Sequence, residues 1–210
     1  LKYVDYWSMR TEKPDAAFTA DEEIGARRWI TLAEAREALT RPRDQQVLKA
    51  FSALPAVTST VLLVVPAEVE QDWAGPDVTR PLSARGQDQA VRLAALASLY
   101  QPDRAFSATG RASVQTVTPI AEAVRCRLSG DSVFDTDAHE RNPERSSVRV
   151  RELAGGGGAA IVCAEPEVVS DTVAILADED GVETPDVSTR PGEAWVLSLS
   201  GQKLVGVERL

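Results

Sequence analysis

The residue types that carry most enzyme chemistry are thinly spread in this chain. It holds one histidine, His139, in the polar stretch Asp135-Thr136-Asp137-Ala138-His139-Glu140. One histidine cannot supply a two-histidine site, and its polar neighbours place it on the surface. The two cysteines, Cys126 and Cys163, sit in apolar company and are too few for a disulfide framework or a zinc site, so they read as buried free thiols. The chain has no Gly-x-Ser-x-Gly elbow, phosphate loop or Cys-x-x-Cys. Gly155 to Gly158 precede a strand-like run instead of opening a helix, so they form no phosphate cradle. Carboxylates remain. Glu68, Glu165 and Glu167 each follow an apolar run, at predicted strand ends where open α/β sheets usually bind ligands. A magnesium-binding cluster of the three is conceivable, although solvated edge carboxylates are commonplace and Pro66 and Pro166 mark remodelled loops.

The elements that must position these groups follow from periodicity. Residues 58–65 are apolar and β-branched, a first buried strand, and a polar loop leads to a helix over 82–100 with Leu82, Val91, Leu93, Leu96 and Leu99 as its apolar positions. A short strand is predicted over 103–107, a helix over 111–124, a strand over 125–134 and a charged helix over 142–154. A buried strand over 159–163, a helix over 168–176 and a hairpin of 195–199 with 203–209 complete the chain. Strand and helix alternate, which is the pattern of an α/β domain. Upstream, residues 2–10 and 24–30 read as strands, Thr31-Leu32-Ala33-Glu34 as a capping box opening a helix that Leu39 closes, and residues 44–51 as a further helical turn or two.

Composition bounds the function. With 210 residues, 43% of them hydrophobic, the chain can bury a real core as one large or two small domains. A net charge of −9 opposes binding to nucleic-acid polymers and anionic membranes. No run approaches the roughly 18 apolar residues of a membrane helix, and the first residues lack a signal-peptide pattern. The expectation is a cytoplasmic protein. The chain opens on Leu1, within a strand-like run, which suggests a piece of a longer chain.

Two groups of residues carry family resemblances. Residues 56–210 resemble the histidine phosphatases, in which a strand ends in Leu-Val-Arg-His-Ala and a helix opens with Pro-Leu-(Ser/Thr/Asp)-x-x-Gly-x-x-Gln-Ala. Leu63 and Val64 match, as do Pro81-Leu82, Gly86 and Gln89-Ala90; Gln115-Thr116 and Gly192-Glu193-Ala194-Trp195-Val196-Leu197 are also typical. This resemblance implies a three-layer α/β/α fold with a mostly parallel sheet. It also implies that the family's two arginines and two histidines correspond to Val65, Pro66, Ala112 and Glu165, so no catalytic residue is assigned. Arg111 stands one residue from an arginine position, about 100° around the helix, and reads as solvent-facing with only a weak claim on a ligand.

Residues 1–54 resemble the C-terminal part of a Nudix hydrolase. Tyr6-Trp7, then Asp21-Glu22-Glu23-Ile24 with Arg28-Trp29, then Glu34-Ala35, carry the likeness. The order of the two parts is similar to MutT1-like proteins, in which a Nudix domain precedes a histidine-phosphatase domain. The glutamate-rich Nudix box that holds magnesium is absent, and where Asp21-Glu22-Glu23 imitates its end, Phe18 and Thr19 occupy the Arg-Glu positions. Glu23 would be an acidic residue near that metal; a solvated carboxylate is the plainer reading. The resemblance therefore implies no cofactor for this chain, and magnesium only where a complete Nudix domain is present. Partners would be its own upstream Nudix domain or a second copy. Three functions stay open: a non-catalytic structural, regulatory or docking domain; a nucleoside-polyphosphate hydrolase whose Nudix box lies upstream; and a binding module for an anionic or neutral ligand.

Overall fold

In the computed structural model, Tyr6 and residues 17–55, 57 and 59–210 are described. The chain divides into two compact units, residues 1–55 and 56–210.

In the first unit the capping box forms as read. Thr31 accepts from the Glu34 amide while the Glu34 carboxylate takes the Thr31 N–H at 2.7 Å, opening α1 (Leu32–Ala38), which Leu39 caps. Helix α2 (Pro42–Ala53) begins on a proline at its first turn and is longer than the turn or two expected. Residues 24–30 are a correction: they form no strand, and Ile24, Trp29 and Ile30 are exposed. Alternating bulky residues make a strand only when another strand takes up their backbone groups. The expected strand over 2–10 lies outside the described residues apart from Tyr6.

The second unit is a six-stranded sheet in the order β3-β2-β4-β1-β5-β6, built from β1 (Ser59–Val64), β2 (Arg104–Ser107), β3 (Leu128–Gly130), β4 (Gly158–Cys163), β5 (Ala194–Ser200) and β6 (Lys203–Arg209). The first four are parallel, and β5 and β6 add an antiparallel edge turned at Gly201, whose φ is +61°. Strand alternation divides the core into two layers. Val61, Leu63, Val162, Trp195 and Leu197 face α6 (Glu144–Gly155) and α7 (Pro166–Asp180), with Phe134 among them. Leu62, Val64, Ala105, Ile161 and Val196 face α3 (Ala84–Ala97) and α4 (Arg111–Val124). The result is the mostly parallel three-layer α/β/α arrangement that the resemblance implies.

Three local expectations need correcting. Helix α3 buries Gly86, Ala90, Leu93, Ala94 and Ala97, while Val91, Leu96 and Leu99 are exposed. Its small side chains let the helix axis approach the sheet, so size outweighs hydrophobicity in choosing the buried face. Residues 125–134 are not one strand: β3 spans only Leu128–Gly130, and Asp131, whose carboxylate accepts from the Val133 N–H, caps a 3-10 turn over Ser132–Phe134. His139 is buried, not on the surface. It lies on the inward face of α5 (Thr136–Arg141), its Nε2 3.0 Å from Asp171 Oδ2 on α7, while among the described residues Nδ1 has no hydrogen-bond partner. Polar sequence neighbours mislead on a one-and-a-half-turn helix, because only one of its faces meets the core. Among the described residues no helix is long and apolar enough to cross a membrane.

Candidate functional site

The C-terminal ends of β1, β2 and β4 meet the N-termini of α4 and α7, and there the structure gathers the positions named from sequence. Val65 continues β1 into the core, fully buried, with its N–H donated to Glu193 O at 2.9 Å. Pro66 is buried and its carbonyl accepts from the Gly192 N–H at 3.1 Å. Gly192 has φ +76°, a conformation that favours glycine. Neither Val65 nor Pro66 offers a nucleophile or a charge.

The backbone beyond Pro66 is tied down by side chains. The Ala67 N–H donates to Thr116 Oγ1 at 3.0 Å, whose own hydroxyl donates to Ala112 O at 2.8 Å. The Glu68 N–H donates to Gln89 Oε1, and the Leu82 N–H to Gln115 Oε1, both at 2.9 Å. The Glu68 carbonyl accepts from the Ser83 N–H and hydroxyl. Gln89, Gln115 and Thr116 are thus clamps on the loop after β1. Their role here is structural, holding that loop against α3 and α4.

Ala112 packs with Ala67, Leu82 and Ala90 in a small apolar cluster. Arg111 is exposed on the first turn of α4 and, among the described residues, forms no ion pair. The nearby cations are otherwise engaged. Arg80 binds Asp77 and the carbonyls of Glu70 and Gln71, and Arg85 lies 3.4 Å from the Glu68 carboxylate in a largely exposed pair of little energetic weight.

Glu165 caps α7 and turns its carboxylate toward α4, where Oε1 accepts from Ser113 Oγ at 3.2 Å. Burial pushes its pKa above the ordinary carboxyl range against the opposing Ser113 hydrogen bond, and the charges of Asp135 and Asp77 push it in the same direction as burial. Asp135 in turn accepts from the Thr109 N–H at 2.6 Å and hydroxyl at 2.9 Å, fixing the turn that leads into α4. Ser113, Asp135 and Asp77 were not singled out from sequence. The available signal was the 3.6-residue period of α4, which brings Ser113 to the face beside β4. Cys163 lies beneath, fully buried, its thiol pKa pushed well up by burial, so it is an inert core residue. Cys126 is half-buried, and both are free.

The conceivable metal cluster does not assemble. Glu68 faces Arg85, Glu167 is exposed, and among the described residues no three His, Cys, Asp or Glu side chains converge as ion ligands. Glu23 is exposed and its N–H donates to Asp21 Oδ1 at 2.9 Å, so Asp21 closes a local turn there.

The raised pKa of Glu165 gives a signed expectation. A carboxyl whose folded pKa exceeds its unfolded value binds its proton more tightly when folded. Its stabilising contribution is complete below the unfolded carboxylate range, near pH 4.3, and is lost as pH rises through the raised folded value. Glu165→Gln keeps a partner for Ser113 without the charge. The variant should be more stable than the parent at neutral pH, with the gap closing toward acid. Denaturant unfolding across pH checks this; a glutamine variant less stable at pH 7 would contradict it.

The second unit has the histidine-phosphatase-like fold. The protein histidine phosphatase SixA, solved with tungstate, aligns with a TM-score of 0.59 at 14% identity, covering 72% of this chain and 96% of that one. A mycobacterial glucosyl-3-phosphoglycerate phosphatase aligns with a TM-score of 0.54 at 14% identity, covering 71% and 96%. By sequence, the 8-oxo-(d)GTP phosphatase of Mycolicibacterium smegmatis is 28% identical over 211 residues. That match takes in 100% of this chain, which spans 65% of the relative's length. No protein-family profile matches the chain.

Proposed function

We propose that residues 56–210 form a non-catalytic histidine-phosphatase-like domain, with a structural, regulatory or docking role in a MutT1-like protein that handles nucleotides. The observation that carries this reading is the set of groups at the sheet edge: Val65, Pro66, Ala112, and a Glu165 carboxylate hydrogen-bonded to Ser113. Phosphoryl transfer to histidine needs an imidazole nucleophile and cationic donors around the equatorial oxygens. Here the nucleophile position is a proline, the arginine positions are aliphatic, and the fourth position is an acid. A carboxylate repels an incoming phosphate by roughly 1 kcal/mol per charge pair at 4 Å in water, and by several-fold more in a sheltered site. Asp135 and Asp77 add to that field. Side chains of α3 and α4, Gln89, Gln115 and Thr116, meanwhile accept from the N–H groups of Glu68, Leu82 and Ala67 in the loop after β1, leaving those donors already bonded.

A second reading is favoured by the mycobacterial relative named as an 8-oxo-(d)GTP phosphatase, which is longer than this chain. In it, residues 1–54 are the end of a Nudix domain whose magnesium-binding box lies upstream, and nucleoside-polyphosphate hydrolysis belongs to the longer protein. Both readings make the same prediction for this chain. Incubated with magnesium and a nucleoside triphosphate, the 210 residues release phosphate at the uncatalysed rate. The readings part when upstream sequence is added: hydrolysis that then appears supports the second, and continued silence supports the first alone.

A further inference from the structure

We infer that the outer face of α3 is an interface between two copies of this chain, joined antiparallel about a two-fold axis. Val91, Leu96 and Leu99, apolar positions that periodicity assigns to the core, point outward instead. Leu99, in the 3-10 turn that continues α3, is 78% exposed and Val91 is 63% exposed. They are the most exposed large hydrophobic side chains among the described residues. With Asp88, Arg92 and Ala95 they recur at intervals of three and four residues, so one face of the helix carries them all, and every one of these positions is exposed. Single exposed apolar residues are ordinary, whereas a contiguous apolar stripe marks a contact surface.

The layout of the face selects its occupant. Its large residues, Leu96 and Leu99, lie toward the C-terminal end, and a small one, Ala84, opens the N-terminal end. A parallel copy would set leucine against leucine and alanine against alanine, while an antiparallel copy sets large against small. With the two-fold axis between Val91 and Arg92, Leu99 of each copy lies over Ala84 of the other, and a crossing of about 20° keeps both ends of the 14-residue helices together. The charges agree with that register. Asp88 and Arg92 are exposed, and among the described residues neither side chain forms an ion pair. The same axis sets each Arg92 opposite the other copy's Val91, about 4.5 Å along the helix from its Asp88 and within a guanidinium's reach. Symmetry makes that pair twice. In a chain of net charge −9, this face carries two arginines, Arg85 and Arg92, against one acid, Asp88, so the acid excess that keeps two copies apart is missing here. One helix face is smaller than a standard interface, so the dimer is weak, with a dissociation constant on the order of 100 μM. The inference does not rest on how the sheet edge is read.

The test is sedimentation equilibrium of the whole 210-residue chain over a concentration series. A reversible equilibrium between monomer and dimer is expected. Leu99→Glu should raise the dissociation constant about tenfold or more, by placing two carboxylates in the apolar seam. Arg92→Asp should raise it about tenfold, because the two-fold axis doubles each lost pair and sets acid against acid. The double exchange of Asp88→Arg with Arg92→Asp restores opposite charges across the axis, and should bring the constant back to within about threefold of the parent. All three positions are exposed, so unchanged circular dichroism and thermal unfolding show that the variants fold. A chain that stays monomeric at about 1 mM overturns the proposal. So does a dimer that Leu99→Glu leaves intact, which must join through another surface. A double exchange that dissociates as readily as Arg92→Asp alone also overturns it, since the antiparallel pairing would then be wrong.

Discussion

Gly86→Ala should destabilise the second unit by about 3 kcal/mol or more, at the upper end of what overpacking does. A Cβ on Gly86 would lie 1.9 Å from Glu68 O and 2.9 Å from Glu68 C. Both are backbone atoms, so no rotamer change relieves the contact. That carbonyl also accepts from Ser83, the N-cap of α3, whose hydroxyl in turn accepts from the Gly86 N–H at 3.0 Å. Moving α3 outward to admit one methyl would therefore break the cap and the clamp on the loop after β1 together. Urea unfolding measures the loss. A variant within about 1 kcal/mol of the parent would show that α3 is not seated on that loop as described.

Ala112→Arg, which puts back the side chain that the resemblance implies, should destabilise the protein by about 2 to 4 kcal/mol without conferring phosphate binding. Ala112 is 9% exposed and packs against Ala67, Leu82 and Ala90. A guanidinium must either displace Leu82, whose N–H is held by Gln115, or enter an apolar cluster without a bound anion to meet it. Thermal unfolding together with a phosphate titration tests both halves. Parental stability with new phosphate affinity would mean that the pocket is open and lacks only its cation, in which case the loop does not close the site.

These variants probe residues whose part in the fold was partly legible beforehand. The capping box at Thr31 and Glu34, the terminal hairpin and the bounds of α4 are set by local rules: a side chain capping its own helix, alternation closed by a glycine turn, a strongly amphipathic run. The three-layer arrangement with a mostly parallel sheet needed more than local pattern, and the family resemblance implied it; the strand order is seen only in the structure. The misses share a cause, since each depends on contacts far away in sequence. His139 is buried because Asp171, 32 residues on, meets it from another helix. Helix α3 turns alanine inward because the sheet lies close beneath it, and among the described residues no strand pairs with residues 24–30 as alternation presupposes. At the candidate site, that Val65, Pro66, Ala112 and Glu165 are neither histidine nor arginine was plain from residue identities. The closing of the loop by Gln89, Gln115 and Thr116 was not, nor was the field of Asp135 and Asp77 on Glu165, because those depend on where three separate segments meet.

The central claim is that the sheet edge no longer performs phosphoryl transfer, and phosphate release from a generic phosphomonoester by the purified 210-residue chain tests it most directly. The rate should equal the uncatalysed background, in the parent and in Glu165→Gln alike. Turnover that survives purification and falls in Glu165→Gln would contradict the claim, and would mean that the carboxylate on Ser113 has become the acid or base of a different reaction.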